Sequence, residues 1–330
     1  MTNPNASPEL SILIPAFNEA EGITRFFKQL YDALESCCAD FEIWVIDDGS
    51  RDSTWEKVCA AQKIFPSLFG LKFTRNFGKE AAILAGLRHV RGKAVIVMDA
   101  DGQHPPALLP KMLEAWRNGK SQIVAAQKSS RATDKWTARL NAYLFNKLMK
   151  TLTGLDLTGA SDFRLLDRRV IDALLAFPEK VRFFRGMTVW TGFTTTLLEF
   201  NVAPRIAGES QWSTTQLTRL AIIAITSFSA KPLGMIFRLG LFGIAASVLI
   251  FLQAIYSWMS GIAISGWTSL TVVILLFGSA NLLGIGVLGA YLAQIFDEIK
   301  SRPEYLISES LPEAGVGCAC APTILQVHST

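Results

Sequence analysis

The sequence predicts an α/β protein in which a mostly parallel β-sheet carries helices on both faces and is followed by two apolar helices. Between residues 10 and 126, short apolar runs alternate with segments of helical periodicity, which is typical of a parallel sheet covered on both sides. Residues 239–296 contain no Asp, Glu, Lys, Arg or His. That length accommodates two membrane-spanning helices of about 20 residues each and a connecting turn.

Hydrophobic periodicity and turn residues place the individual elements. The expected strands are Leu10–Pro15, Phe41–Ile46, Leu71–Thr74, Ala94–Met98, Ile123–Ala126 and Thr195–Val202. The expected helices are Glu19–Glu35, a helix capped by Ser53 that runs to Ile64, Lys79–His89, Pro106–Asn118, Trp136–Leu152 and Leu166–Phe177. Ligands of such a sheet bind beyond the carboxyl ends of the strands, so functional side chains are expected there.

The apolar region is interpreted as a membrane hairpin with spans at 239–258 and 267–296. The turn between them is uncharged, whereas the outer flanks carry Lys231, Arg238, Lys300 and Arg302. The positive-inside rule therefore places both termini in the cytosol. The N-terminus lacks a basic region followed by an apolar run, so no signal peptide is predicted. The alternative is a buried helical hairpin of a soluble protein.

The predicted organisation has five parts. It consists of a flexible N-terminus (1–9), a cytosolic catalytic domain (10–212), a helix at the membrane surface (213–232), two transmembrane helices (233–298) and a cytosolic tail (299–330) that is disordered after Ser308. A buried core helix is the alternative for 213–232. The net charge of +4 suits a protein near anionic lipid and does not require nucleic acid. The five cysteines lack zinc-ligand spacing, so reduced thiols are expected.

The strongest chemical motif is the acidic run that follows the fourth strand. In extended backbone, alternate residues face the same side, so Asp99, Asp101 and Gln103 would present oxygens to one point. Mg²⁺ or Mn²⁺ prefers such hard ligands, and it would neutralise a diphosphate leaving group. The alternative is a solvated acidic turn.

Two further clusters follow the first and second strands. After the first strand, Phe17 offers a face for a nucleobase and Glu19 could accept ribose hydroxyls, while Pro15 ends the strand. After the second strand, Asp48 could accept the imide N–H of uracil. Turn chemistry and helix capping are the alternatives for both clusters, and they are preferred for the neighbouring Ser50, Asp52 and Ser53.

Six segments in order resemble the family 2 glycosyltransferases with the GT-A fold: SILIPAFNEAEGI, IWVIDDGSRDST, TRNFGKEAAILAGL, VMDADGQHPP, SDFRLLDRR and AGESQW. They are most similar to the branch that contains dolichyl-phosphate mannose synthase and the bactoprenol glucosyltransferases. The resemblance implies a nucleotide-sugar donor, a divalent metal, a polyprenyl phosphate acceptor and inversion at the anomeric carbon. It also implies that Asp99, Asp101 and Gln103 hold the metal, and that the nucleotide site is lined by Pro15, Phe17, Glu19, Asp48, Lys79 and Asp99.

The acceptor would need little help from a base. A phosphate monoester is already largely a dianion at neutral pH because its second pKa is about 6, so the protein must position it rather than deprotonate it. Lys128, Arg131 and Arg139 are the candidates for gripping this phosphate, with ordinary surface charge as the alternative. Asp162 would orient the phosphate or contact sugar hydroxyls, and Asp101 acts in catalysis through the metal.

The sequence thus predicts transfer of a hexose, with UDP-glucose as donor, to undecaprenyl phosphate for cell-envelope glycosylation. The alternatives are another sugar on the same lipid, from GDP-mannose, UDP-GlcNAc or an aminoarabinose-type donor, or an inactive membrane scaffold. The expected location is the bacterial inner membrane, spanned more than once, with the catalytic domain in the cytoplasm. The nucleotide-sugar, the lipid and the membrane are the expected partners, and a homo-oligomer is left open.

Overall fold

An eight-stranded sheet forms the centre of the protein, in the order β7-β5-β6-β4-β1-β2-β3-β8. The computed structural model describes residues 7–128, 147, 150–154, 161–180, 182–200, 229, 231–260, 266–300 and 302–312. The strands are β1 Leu10–Ala16, β2 Phe41–Asp47, β3 Leu68–Phe73, β4 Ala94–Val97, β5 Ile123–Lys128, β6 Arg164–Asp167, β7 Thr195–Phe200 and β8 Ile307–Leu311. The helices are α1 Ile23–Glu35, α2 Thr54–Ile64, α3 Lys79–His89, α4 Leu109–Arg117 after a 3₁₀ turn at Pro106–Leu108, α5 Arg168–Leu175, α6 Phe184–Trp190, α7 Lys231–Met259 and α8 Trp267–Ile299.

The expected α/β class and mostly parallel sheet are confirmed. β1 pairs in parallel with β2 and β4, and the pairs β2–β3 and β5–β7 are also parallel. β6 and β8 are the antiparallel members. The first strand continues one residue beyond Pro15, which lies opposite Ile46 in the ladder, so the expectation that this proline ends the strand is wrong.

Both faces of the sheet are packed by helices. Ile12 and Ile14 of β1 point into a buried cluster with α1, α2 and α4. Leu13 points to the opposite face, where α3, α5 and α6 form the second cluster. This alternation is the period of two expected for a strand that is buried on both sides, and it explains why β1 reads as an unbroken apolar run.

A strand not anticipated from the sequence begins at Arg164. The segment expected to be helical from Leu166 is strand up to Asp167, and α5 begins only at Arg168. The Asp167 side chain caps α5 by accepting the Arg169 N–H at 3.0 Å. Because β6 inserts antiparallel between β4 and β5, its first residues lie at the edge of the sheet where β4 and β5 end.

The segment after α8 returns to the sheet. The expectation of disorder after Ser308 is wrong for residues 309–311, because β8 pairs antiparallel with β3. Glu309 fixes the strand, accepting the Trp55 indole N–H at 2.8 Å and pairing with Lys72 at 3.1 Å. The edge of β3 is thereby covered by the chain that follows the apolar helices.

The two apolar helices α7 and α8 contact each other as antiparallel neighbours. A Cβ added at Gly243 would lie 2.8 Å from the Phe277 ring, and one at Gly284 would lie 3.2 Å from Ile236. By length and composition, Lys231–Ile250 and Leu276–Ile299 could cross a membrane, and 6% and 0% of their apolar windows are buried. The predicted spans 239–258 and 267–296 lie within these helices.

Most of two other expected segments lies outside the described residues. Of the helix expected at Trp136–Leu152, residues 147 and 150–152 are described and are helical. Of the expected surface helix at 213–232, residues 229, 231 and 232 are described, and the last two begin α7.

Candidate active site

Topology gathers the predicted site residues at one edge of the sheet. The parallel strands β1, β2 and β4 all end at this edge, and the antiparallel β6 begins there. Val97, at the end of β4, lies opposite Arg164, at the start of β6. The residues just after β4 and just before β6, Asp99 and Asp162, therefore face the same space, as ligand-binding residues of open α/β sheets do.

The loops after β1 and β2 are joined by hydrogen bonds from backbone to side chain. The Asn18 N–H donates to Ser50 Oγ at 2.9 Å, and the Arg51 N–H donates to Asn18 Oδ1 at 2.9 Å. Asp52 Oδ2 accepts the Ala20 N–H at 3.1 Å. These bonds hold Asn18 at a positive φ of 55°. The turn roles expected for Ser50 and Asp52 are confirmed. Ser53 occupies the N-cap position of α2, but its side chain makes no capping hydrogen bond, and Asp52 Oδ1 accepts the Thr54 N–H instead.

Asp48 is buried beneath the loop between β3 and α3. Its Oδ1 accepts the Phe77 N–H at 2.7 Å, and its Oδ2 accepts the Gly78 N–H at 2.9 Å. Burial raises the pKa of Asp48 to about 6, although both N–H groups oppose that shift. Each carboxylate oxygen keeps a second lone pair, so the group can clamp this loop and still accept a hydrogen bond from a ligand.

Gly49 is required by a close approach of two loops. Its φ is +67°, and an added Cβ would lie 2.4 Å from the carbonyl carbon of Arg75. We expect Gly49→Ala to lower the free energy of unfolding by at least about 2 kcal/mol more than Gly119→Ala does. Gly119 has a similar φ of +70° with nothing within 4 Å of an added Cβ, so it isolates the cost of the backbone conformation. Urea titration of the full chain in detergent measures both, and equal losses would contradict the close approach.

The acidic motif forms a turn. The expectation of extended backbone through residues 99–103 is wrong, because the Gln103 N–H donates back to Asp101 Oδ1 at 2.9 Å and Gly102 has a φ of +74°. The turn keeps Asp99, Asp101 and Gln103 within one short loop. Within the described ranges, no group of three or more His, Cys, Asp or Glu side chains is placed to hold a metal ion.

His104 holds the backbone at the start of this turn. Its Nδ1 accepts the Asp99 N–H at 3.0 Å, and its ring stacks on Phe163 with the centroids 4.7 Å apart. Burial lowers the pKa of His104, so the ring is neutral with its proton on Nε2. The imidazole therefore anchors the backbone of Asp99.

Lys79 links the two acidic segments. Its Nζ lies 2.6 Å from Asp99 Oδ1 and 2.9 Å from Asp162 Oδ2. Burial alone would lower the pKa of Lys79, but the two carboxylates outweigh it and raise the pKa above its usual value. Lys79 is the first residue of α3, so the β3–α3 loop held by Asp48 also sets the position of this ammonium group.

Asp162 is held by a second cation. Arg185, on α6, donates from Nε to Asp162 Oδ1 at 3.2 Å and places its NH2 nitrogen 3.1 Å from Oδ2. Burial would raise the pKa of Asp162, but Lys79 and Arg185 hold it well below its ordinary value. Asp162 is therefore an ionised carboxylate with both oxygens engaged, which suits a positioning role and does not suit a base.

The buried Arg164 and the half-buried Glu80 lie close to Asp162 and Arg185. Arg164 bonds through its guanidinium to the Ser161 carbonyl oxygen and to Thr188 Oγ1, and burial lowers its pKa to about 10. Glu80 accepts the Phe184 N–H at 2.8 Å. Burial and the nearby Asp162 raise the pKa of Glu80 to about 7. Glu80 thus fixes the start of α6, the helix that carries Arg185.

The structure describes some of the other predicted site residues and not all of them. Phe17 and Glu19 are half-buried at the same edge, after the buried Pro15. Lys128 is the last residue of β5, opposite Phe200, and its side chain is not described. Arg131 and Arg139 lie outside the described residues.

Comparison with known proteins identifies the family. The sequence profile described as "Glycosyl transferase family 2" matches residues 11–175. A prophage-derived bactoprenol glucosyl transferase of Shigella flexneri is 38% identical over 304 residues, covering 92% of this chain and 98% of that protein. An uncharacterized glycosyltransferase of Synechocystis is 35% identical over 306 residues, covering 91% and 95%. The chain belongs to glycosyl transferase family 2.

Solved structures of two other glycosyl-transferring enzymes match part or most of the chain at low identity. A mannosyltransferase of Pyrobaculum calidifontis, in complex with GDP-Man and Mn²⁺, is 17% identical and covers 89% of each chain with a TM-score of 0.44. A glucosyl-3-phosphoglycerate synthase of Mycobacterium tuberculosis, in complex with Mn²⁺, UDP and phosphoglyceric acid, is 18% identical with a TM-score of 0.43. It covers 66% of this chain and 75% of its own.

The glycosyltransferase contains two site residues that the sequence did not reveal. Arg185 lies in a mostly apolar segment and was not singled out, and Glu80 reads as an ordinary first-turn acid of α3. The signal that could have indicated Arg185 is its charge within a mostly apolar segment, between the buried Phe184 and Met187. A charge among buried neighbours needs a partner, and here that partner is Asp162.

Proposed function

We propose that this glycosyltransferase transfers a hexose from a nucleotide-sugar, with UDP-glucose as donor, to the phosphate of a polyprenyl lipid, inverting the anomeric carbon. The observation that carries the proposal is Lys79 bridging Asp99 and Asp162 at the ligand-binding edge of the sheet. The proposal also draws on a relative named bactoprenol glucosyl transferase, which aligns with 92% of the chain.

The donor set of the acidic turn fits a divalent cation. Asp99 and Asp101 supply carboxylates and Gln103 an amide oxygen, the ligands that Mg²⁺ and Mn²⁺ prefer. The Lys79 ammonium lies 2.6 Å from Asp99 Oδ1, so a bound metal ion would share this carboxylate with Lys79. A bound metal ion would neutralise charge on the leaving diphosphate. We therefore propose Asp99, Asp101 and Gln103 as the metal ligands.

The nucleotide would bind over the ends of β1 and β2. Asp48 has free lone pairs at a buried position, so it can accept an imide N–H of the base while it holds the 77–78 loop. Phe17 and Glu19 lie on the adjacent loop and would contact the base and the ribose. Pro15 supports that loop from within β1.

The chemistry would be a displacement at the anomeric carbon. An oxygen of the lipid phosphate forms the new bond to that carbon as the bond to the diphosphate oxygen breaks, and the electron pair leaves with the nucleoside diphosphate. The acceptor is already largely ionised at neutral pH, so no base is required. Asp162, ionised and held by two cations, would keep Lys79 and Arg185 aimed at the reacting phosphates.

The acceptor would arrive from the cytoplasmic leaflet of the bacterial inner membrane. We propose that α7 and α8 span the bilayer, with the cationic flanks Lys231 and Lys300 on the cytosolic side. Lys128, Arg131 and Arg139 would grip the lipid phosphate after β5, as basic groups do at phosphate sites.

The donor and the acceptor can be tested together. The purified full-length protein is given undecaprenyl phosphate, Mn²⁺ or Mg²⁺, and radiolabelled UDP-glucose, UDP-GlcNAc, GDP-mannose or an aminoarabinose-type nucleotide in separate reactions. We expect chloroform-soluble label from UDP-glucose in excess of every other donor. More lipid-linked label from another donor would show that UDP-glucose is not the preferred donor. The absence of a lipid product with every donor would contradict the proposed transfer.

A further inference from the structure

A cavity of about 250 Å³ lies where the end of α8 meets the catalytic domain. Its walls come from three places. They are Phe77 with the first turns of α3, Lys180 with Arg182, and the end of α8 with residues 302–304. We propose that this cavity binds the phosphate-bearing headgroup of an anionic phospholipid. The inference rests on the proposed membrane placement of α8 and is independent of glycosyl transfer.

The walls of the cavity are tied to one another. The Lys180 N–H donates to Glu298 Oε1 at 2.7 Å, and Lys180 Nζ donates to the Glu298 carbonyl oxygen at 2.6 Å. On the other side, Arg88 pairs with Glu304 at 2.7 Å. The last turn of α8 and the segment after it are thereby fixed against the catalytic domain, so the cavity is preformed between them.

Four cations line the cavity, and two of them are exposed without an acidic partner. Lys300 and Arg302 make no ion pair with any other described residue, and Lys300 Nζ lies 4.1 Å from the centre of the Phe296 ring. Lys180 and Arg182 complete the set. Free guanidinium and ammonium groups beside a cavity are the donors that bind phosphate oxygens.

Arg182 supplies an independent sign of a missing ligand. Its side chain is only 9% exposed. Its two terminal nitrogens donate to the carbonyl oxygens of Leu174 and Phe177 at 3.0 and 2.8 Å. Its Nε has no hydrogen-bond partner among the described residues, and the nearest carboxylate oxygen, on Glu304, is 3.8 Å away. An unsatisfied buried donor is costly, and an acceptor oxygen bound in the cavity would satisfy it.

The carboxylates in the walls do not cancel the positive charge of the cavity. Glu304 is paired with Arg88 at 2.7 Å. Glu80 accepts the Phe184 N–H, and its pKa of about 7 means that it carries only part of a charge at neutral pH. Asp297 is the remaining acid and is exposed. The basic groups therefore outweigh the available negative charge.

The position of the cavity at the end of α8 favours a lipid as the ligand. The uncharged part of α8 ends at Phe296, and the cavity residues Asp297 and Lys300 follow within one turn. If that stretch crosses a bilayer, the cavity opens at the depth of the headgroups, where basic side chains attract anionic lipid.

The test measures lipid binding in the absence of any nucleotide-sugar. Full-length protein in a non-ionic detergent is titrated with radiolabelled phosphatidylglycerol and, separately, phosphatidylcholine. We expect preferential binding of phosphatidylglycerol, and about 30-fold weaker binding by Lys300→Gln/Arg302→Gln, since each basic group contributes about 1 kcal/mol. The control is Arg25→Gln/Lys28→Gln, which removes the same charge from exposed positions on α1, on the opposite face of the sheet.

The proposal would be overturned by equal binding of the two lipids, by equal weakening in the control variant, or by unweakened binding in Lys300→Gln/Arg302→Gln. Competition is measured with inorganic phosphate as well. Displacement of the lipid by millimolar phosphate would show a site for soluble anions in place of a headgroup site. Because no donor is present, loss of lipid binding and loss of sugar transfer are observed separately.

Discussion

Asp162→Asn is expected to lower the free energy of unfolding by at least about 2 kcal/mol, because it removes the shared partner from a half-buried ion-pair network. Asparagine has nearly the same shape, so the change isolates the charge. Lys79 and Arg185 would then share a neutral amide, with Arg164 buried close behind. Sugar transfer should fall by at least about 100-fold, since both cations lose the group that orients them. Urea titration and initial-rate assays of the full chain measure the two effects.

The matched control for this substitution is Asp172→Asn, which removes the same charge from an exposed position on α5. It should leave both quantities within experimental error. Adding Arg185→Met to Asp162→Asn should restore part of the lost stability, because one unpaired cation is removed together with its partner. Wild-type stability of Asp162→Asn would show that the network contributes nothing to folding.

Asp101→Asn is expected to abolish measurable transfer, with a loss of at least about 10³-fold, while the protein folds normally. The asparagine oxygen can still accept the Gln103 N–H that closes the turn, so the loop should be kept. The substitution removes one of the two carboxylates proposed for the metal. Mn²⁺ binding, followed by electron paramagnetic resonance, should weaken in parallel with the rate.

The same Asp172→Asn variant is the charge-matched control for Mn²⁺ binding. Lys79→Met separates metal binding from catalysis, because it removes the ammonium group that is paired with Asp99. It should leave Mn²⁺ binding at least as tight as in the wild type while transfer falls. Full activity of Asp101→Asn, or unchanged Mn²⁺ affinity, would remove the acidic turn from the metal site.

Much of the fold could be predicted because local pattern and tertiary structure agree. The strands β1 and β4 read as apolar runs since both of their faces are buried, and α3 begins and ends at the predicted residues. The gathering of Asp48 and Asp99 at one edge also follows from parallel strands alone. These features depend on periodicity and strand direction, which a single sequence displays.

The features that could not be predicted depend on distant parts of the chain. β6 has four residues, and its apolar Leu165 and Leu166 run directly into the apolar face of α5, so periodicity cannot separate strand from helix. β8 is partly exposed and is defined by its pairing with β3. The partners of Asp162 come from α3 and α6, and no spacing in the sequence relates those helices.

The most direct test of the central claim is a metal-dependence measurement with the lipid acceptor. Purified protein is stripped with chelator and supplied with radiolabelled UDP-glucose and undecaprenyl phosphate, and chloroform-soluble label is counted before and after Mn²⁺ is added back. We expect no product after stripping and full recovery of product with Mn²⁺. Undiminished formation of glycolipid by the stripped protein would contradict it.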